Sequence, residues 1–323
     1  MATRTLDEQL TKYLTDAHAM EVQALAQMRA APDLAGDPAL EHAFREHLTE
    51  TERHEAEIRL RLEARDASPS KLEDLLGAVS GKGFVLFARF QPDTPGKLAT
   101  HAFSYEHLEL ATYELLARVA ERAGDDATAE VARRIRAEED AMSQRIAGSW
   151  DGAVAASLQA KGDDDLDTRL NKYLADAHAI ESQAIQLLQR GPKIAGSTSL
   201  AGLFEEHLKE SHRHEDVVQA RLDARGGSTN SLKDAALRLG ALNWGAFFQS
   251  QPDTPAKLAA FAYAFEHLEI GGYEQLVRVA QRAGDTETAT AAQGILAEER
   301  AAAEKLYGTF AEALDASLEA VLT

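Results

Sequence analysis

Cysteine is absent from this chain of 323 residues. That excludes disulfides, thiolate metal sites and a cysteine nucleophile, and leaves His, Asp and Glu as the only strong metal ligands. Basic residues are outnumbered, 34 Lys and Arg against 53 Asp and Glu, for a net charge of −19. A charge of that sign offers no basic face for phosphates and argues against a nucleic-acid partner. No apolar run approaches the roughly 20 residues of a membrane span. The opening stretch, Met-Ala-Thr-Arg-Thr-Leu-Asp-Glu-Gln-Leu, lacks the apolar core of a secretory signal, so the expectation is a cytoplasmic protein. Strand signals are equally scarce: alternation is rare, and Ala, Leu, Glu, Arg and Gln dominate. What is present is an ordinary hydrophobic content of 45%, enough for a soluble protein with a real core.

The chain is one unit written twice. Tyr13-Leu-Thr-Asp-Ala-His-Ala-Met-Glu matches Tyr173-Leu-Ala-Asp-Ala-His-Ala-Ile-Glu, an offset of 160 residues that needs no gap. Gln91-Pro-Asp-Thr-Pro matches Gln251-Pro-Asp-Thr-Pro, and Arg122-Ala-Gly-Asp matches Arg282-Ala-Gly-Asp. A repeat this long implies two tandem domains, 1–161 and 162–323, joined near the polar stretch Lys161-Gly-Asp-Asp-Asp. Of 11 histidines, eight form matched pairs: His18/His178, His47/His207, His54/His214 and His107/His267.

Periodicity predicts four long helices and a short fifth in each unit. The first covers about Leu6 to Arg29. The second runs from about Pro38 to Arg65, with Asp37 as N-cap and Pro38 in the first turn. A long connection from Ala67 to Asp93 is expected to hold a short helix after Ser70 and an apolar piece, Phe84-Val-Leu-Phe. The third helix opens on Asp93-Thr94-Pro95 and ends at Gly124. The fourth spans about Asp126 to Gly148, and the fifth about Asp151 to Ala160. Short turns within the pairs and one long crossing between them describe an all-α fold: two tandem four-helix bundles of the ferritin-like arrangement.

The apolar stripes of these helices carry acids where Leu would be ordinary. Glu21 sits between Ala17 and Ala24. His47, Glu50 and His54 share one face of the second helix. Glu106 and Glu109 occupy consecutive turns of the third, and Glu139, with Glu138 beside it, lies on the fourth. Every one recurs in the second unit, as Glu181, Glu210, His214, Glu266, Glu269 and Glu299, with His207 and Glu298. A buried carboxylate without a partner costs several kcal/mol. Four inward acids on four helices therefore call for cations, and an oxygen-rich set with imidazole suits iron or manganese, with zinc as a further candidate. His18, His47, His107 and Tyr113, with His178, His207, His267 and Tyr273, are candidates for packing or for holding the ligands from behind.

Several segments resemble the ferritin-like stress proteins of the YciE/YciF type: Asp16-Ala-His-Ala-Met-Glu-Val-Gln, Glu46-His-Leu-Thr-Glu-Thr, Tyr105-Glu-His-Leu-Glu, Ala137-Glu-Glu and Glu269-Ile-Gly-Gly-Tyr. The resemblance covers the four long helices of both units. It implies a dinuclear metal centre, iron ahead of manganese, akin to those of rubrerythrins and manganese catalases. Carried over, the ligands are Glu21, Glu50, His54, Glu106 or Glu109, and Glu139 in the first unit. In the second they are Glu181, Glu210, His214, Glu266 or Glu269, and Glu299. Two departures stand out. Arg53 and Arg213 occupy the third place of the usual Glu-x-x-His, so the His comes at the fourth. The fourth helix offers no His, since Met142 and Ser143 follow Glu139, and Ala302 and Ala303 follow Glu299.

Two functions compete. One is a di-iron or di-manganese protein acting on peroxide or oxygen, or sequestering iron under stress. The other is a non-catalytic stress or scaffold module that keeps the bundle, favoured by the missing fourth-helix His. A ferritin-type storage cage fits a tandem chain less well than an intrachain pseudo-dimer, as a monomer or small homo-oligomer.

Overall fold

The computed structural model describes residues 5–67, 94–159, 165–228 and 254–322, and the regular structure among them is entirely helical. The chain divides into two compact units, essentially Met1–Lys161 and Gly162–Val321. The first contains α1 (Leu6–Met28), the short α2 (Ala31–Leu34), α3 (Pro38–Glu63), α4 (Thr94–Ala123), α5 (Asp126–Ala147) and α6 (Trp150–Gln159). The second contains α7 (Leu166–Arg190), a 3-10 turn at Gly191–Lys193, α8 (Thr198–Ala224), α9 (Thr254–Arg282), α10 (Thr286–Gly308) and α11 (Phe310–Leu322). The expected short helix after Ser70, the Phe84-Val-Leu-Phe piece, the Asp93 cap and the linker at 160–164 lie outside the described residues.

In each unit the four long helices close a ring. α1 packs on α3 and α4, and α5 packs on the same two; α7 and α10 do likewise with α8 and α9. With residues 64–93 separating α3 from α4 in the sequence, this is the ferritin-like four-helix bundle.

Local chemistry sets the helix ends. Thr5 and Glu8 form a reciprocal capping box at the start of α1, with Thr5 N–H donating to Glu8 Oε2 at 2.8 Å. Asp37 accepts from the amides of Ala39 and Leu40 at 3.1 and 2.9 Å, and Pro38 fills the first turn, where no amide donor is needed. Gly124 and Gly284 take φ of +73° and +72°, the left-handed turn that stops α4 and α9 and that a side chain would strain. The fifth helix closes one end of the bundle: Ser157 of α6 accepts from the Gly96 amide at 2.7 Å, as Ser317 of α11 does from Ala256 at 2.8 Å.

The apolar layers sit to either side of mid-length. Leu10, Leu14, Ile58, Leu62, Leu116 and Ile135 fill one side of the first bundle, and Met28, Leu40, Phe44, Leu98, Met142 and Ile146 the other. Each such side chain contributes about 1.5–3 kcal/mol on burial. Between these layers lies a polar one. Among the described residues, no helix is long and apolar enough to cross a membrane.

Candidate metal centre

The polar layer is built by one turn from each long helix. α1 brings Glu21 inward because Ala17 and Ala24, its neighbours one turn away, are small and fully or almost fully buried. α3 brings His47 and His54, two turns apart on nearly the same face. α4 brings Glu106 and Glu109, and α5 brings Glu139. All six side chains are buried, Glu21, His54, Glu106 and Glu139 completely.

They form two overlapping groups in which one ligand atom from each residue lies within 4.8 Å of every other: His47, Glu106, Glu109 and Glu139, and Glu21, His54 and Glu139. Glu139 belongs to both. His47 Nε2 stands 3.1 Å from Glu106 Oε2 and 3.3 Å from Glu139 Oε2, while His54 Nδ1 stands 2.8 Å from Glu139 Oε1 and 3.8 Å from Glu21 Oε1. The second unit repeats this with His207, Glu266, Glu269 and Glu299, and with Glu181, His214 and Glu299. There His207 Nε2 lies 3.0 Å from Glu266 Oε2, and His214 Nδ1 lies 2.7 Å from Glu299 Oε1.

Short as they are, most of these contacts are not aligned as hydrogen bonds. Glu21 Oε2, both oxygens of Glu106 and of Glu139, Glu109 Oε1 and His54 Nδ1 are buried without a hydrogen-bond partner. Buried polar atoms are overwhelmingly satisfied, so a knot of orphans at one point marks a place shaped for something else. The outer ring edges explain which lone pairs turn inward. His47 Nδ1 donates to Glu50 Oε2 at 2.9 Å, and His54 Nε2 donates to Glu138 Oε2 at 2.5 Å. A carboxylate only accepts, so the proton sits on the outer nitrogen and the inner one is left to ligate. The donor set, four carboxylates and two imidazoles, fits a hard or borderline dication.

The electrostatics say the same. With protons as the only cations, burial and the charge of Glu139 push Glu21 up to about 8. Burial takes Glu106 to about 7, and burial with the charges of Glu139 and Glu21 takes Glu109 well above the carboxylate range. Glu139 goes the other way: burial pushes it up, but His47 and His54 more than offset that and hold it below its ordinary value. Burial lowers the two imidazoles, yet the surrounding acids win, raising His54 to about 9 and His47 well above 6.5. In the second unit Glu181 and Glu266 reach about 8 and 7, and Glu299 falls to about 2.

The remaining expected residues are placed elsewhere. Glu50 does not join either group. It turns outward to His47 and to Arg145, whose Nη2 donates at 2.6 Å, and those partners bring it to about 2, the His47 hydrogen bond being the larger effect. Glu210 likewise turns to His207 at 2.9 Å. His47 and His207, expected to pack or to stand behind the ligands, take the inward positions instead. His18 faces Glu55 at 3.0 Å, away from the cluster, and His178 lies 3.9 Å from Glu215. His107 donates to the Phe103 carbonyl at 2.7 Å and packs on the Phe103 ring, as His267 does with Tyr263; burial lowers His107 to about 4. Tyr113 and Tyr273 donate short hydrogen bonds to Glu21 and Glu181. Glu138 and Glu298 support His54 and His214 from the bundle surface, each also held by Arg53 or Arg213 at 2.6 Å. The arginine in the third place after Glu50 was the available sign of that support.

A family model described as "domain of unknown function (DUF892)" matches the chain twice, over residues 5–159 and 165–319. No solved structure matches the chain.

Proposed function

Since the chain belongs to the DUF892 family, a ferritin-like family, through both of its halves, we propose that each half is a dinuclear metal–carboxylate centre. Glu21, His54 and Glu139 would hold one ion, His47, Glu106, Glu109 and Glu139 the other, with Glu139 shared. In the second half the sets are Glu181, His214 and Glu299, and His207, Glu266, Glu269 and Glu299. The observation that carries this reading is the set of buried, unpartnered carboxylate oxygens at one point. Four carboxylates with two neutral imidazoles balance two dications without residual charge. The resemblance to the YciE/YciF type, not the donor set itself, puts iron ahead of manganese, with zinc a further candidate.

Bound there, such a pair supplies Lewis acidity and one-electron redox chemistry toward oxygen or peroxide. The chain's own part is positional. Glu50 and Glu138 fix which imidazole nitrogen faces inward, Tyr113 holds Glu21, and the apolar layers keep bulk water from the acids. The motif resemblance supports a stress role of the YciE/YciF type. Metal analysis of protein purified without chelator should find about two ions per half, and anaerobic Fe(II) followed by air should give a new near-ultraviolet absorption. Failure of the stripped protein to take up any dication would sink the proposal.

A non-catalytic stress module is the second reading, favoured by the absence of an imidazole on α5 and α10. It expects E106A/E139A/E266A/E299A protein, altered in both halves, folded and metal-free, to protect cells as well as the unaltered chain. Loss of protection would decide against it.

A further inference from the structure

The duplication supplies an internal control, because each residue of one half can be compared with its counterpart. A half-open pocket in the second half, with room for about one water-sized molecule, lies between α7, α8, α9 and α10. Tyr273, whose hydroxyl donates to Glu181, forms part of its wall. Seven of its ten lining positions are the same in the first half; the three that differ are Val217, Val218 and Ala291, where the first half has Glu57, Ile58 and Val131. All three changes remove bulk or charge. The first half also carries an ion pair at this place. Arg134 Nη1 donates to Glu57 Oε1 at 3.1 Å, with a second, shorter contact beside it. The counterpart of Arg134 is Gly294, where an added Cβ would meet nothing within 4 Å.

The chemistry of the lining selects the guest. A trapped water needs two to four polar partners. Here the polar lining side chains offer too few partners: Arg221 Nε donates to Thr288 Oγ1 at 3.0 Å, Arg221 also binds Asp285 and Glu287, and the Tyr273 hydroxyl gives its one proton to Glu181 and keeps only acceptor capacity. The remaining walls are Leu, Val, Ile and Ala. Hydrogen peroxide fares no better than water in such a place, whereas a neutral diatomic loses nothing.

We propose that this pocket is a binding site for a small apolar molecule of the dioxygen class, beside the cluster of the second half alone, the first half being latched by Glu57 and Arg134. The assignment to dioxygen rests on the metal reading above; the pocket itself does not.

Crystals of the full chain pressurised with xenon test it. The expected result is an anomalous peak beside Tyr273 and none beside Tyr113. The V218I/A291V variant, which restores the first half's bulk, should lose the peak. The reciprocal E57V/I58V/V131A/R134G variant should gain one beside Tyr113, with helicity reporting that each variant folds. No peak beside Tyr273, equal peaks in both halves, or an ordered hydrogen-bonded water in the pocket would overturn the proposal. Metal content of the same crystals separates the two readings. Metal without xenon overturns the pocket alone, and xenon in a chain that takes no metal overturns the functional reading and the dioxygen assignment with it.

Discussion

His47 and His54 stand on one helix and turn opposite ring edges to the same carboxylate: His47 Nε2 lies 3.3 Å from Glu139 Oε2 and His54 Nδ1 2.8 Å from Glu139 Oε1. The inversion is imposed from outside the cluster. Glu50 is on α3 itself and takes the Nδ1 proton of His47, while Glu138 is on α5 and takes the Nε2 proton of His54. One α5 dipeptide, Glu138-Glu139, thus orients an imidazole with its first acid and shares its second between the two groups.

Variants should separate these roles. Glu139→Ala, which touches both groups, is expected to abolish tight binding in the first half. Glu50→Gln and Glu138→Gln leave every inward oxygen in place and should weaken affinity about 10- to 100-fold. Calorimetric titration with Mn(II), in a chain whose second half carries Glu299→Ala, would read this. Equal losses for all three variants would contradict the division of labour.

Function and stability should oppose each other at Glu109. Burial and the neighbouring acids make its charged form costly. Apolar replacement of a buried ionic group is often stabilising by about 1–4 kcal/mol. Glu109→Met together with Glu269→Met should therefore raise the melting temperature of chelator-treated protein, by about 2–4 °C per kcal/mol, while lowering its metal uptake. A lower melting temperature in chelator would show that Glu109 is held by partners other than a cation.

Much of this architecture is legible in the residues. Asp37-Pro38 and Gly124 punctuate the helices where the structure starts and stops them, and Glu21, Glu106, Glu109 and Glu139 interrupt apolar stripes beside Ala or Leu, so their burial follows from period alone. The second helix is where period is too coarse. At about 100° per residue, His47 and His54 fall about 20° apart, and Glu50 about 60° from His47. A stripe wide enough to hold all three cannot say which side chain points to the axis. The Glu-x-x-His pattern singles out Glu50, but the packing of α3 puts the histidines on the axis and leaves Glu50 to Arg145, a long-range partner no local pattern reveals. His107 takes the packing alternative for a related reason. It is about 100° from Glu106, outside the inner face, against the Phe103 ring, which in turn packs on Trp150 of α6.

The metal-free protein should lose stability as pH rises. Glu21 and Glu106 have folded values raised to about 8 and 7, so the folded chain holds protons that the unfolded chain releases above 4.5. His54, raised to about 9, extends the effect from 6.5 upward. In both windows the folded state binds more protons, so stability falls as pH climbs from about 5 to 9. Dications replace those protons, and apparent affinity should climb over the same range. Melting curves in chelator and in Mn(II) should diverge with increasing pH. Parallel curves would mean that the ion and the protons do not share a site.

Acid should act elsewhere, at the clamps between helix ends. Asp285 caps α10 through the Thr288 amide at 2.9 Å, and it binds Arg225 at 2.6 Å and Arg221 at 3.2 Å, both from the end of α8. Burial pushes its carboxyl up, but the hydrogen bonds from Thr288 and Arg225 dominate and bring it from 3.8 to about 2. Asp125 repeats the arrangement with Arg61 and Arg65, both at 2.8 Å, and is lowered for the same reasons. A depressed carboxylate stabilises fully above its unfolded value and stops doing so once pH falls through its folded one. For Asp285 the window is therefore about pH 4 down to 2, and after allowance for solvent screening the contribution is about 1–2 kcal/mol. Denaturant unfolding of Asp285→Asn should show that deficit at pH 5 and almost none at pH 2. A deficit that persisted at pH 2 would make the clamp a matter of shape and hydrogen-bond count, with the carboxylate charge contributing nothing.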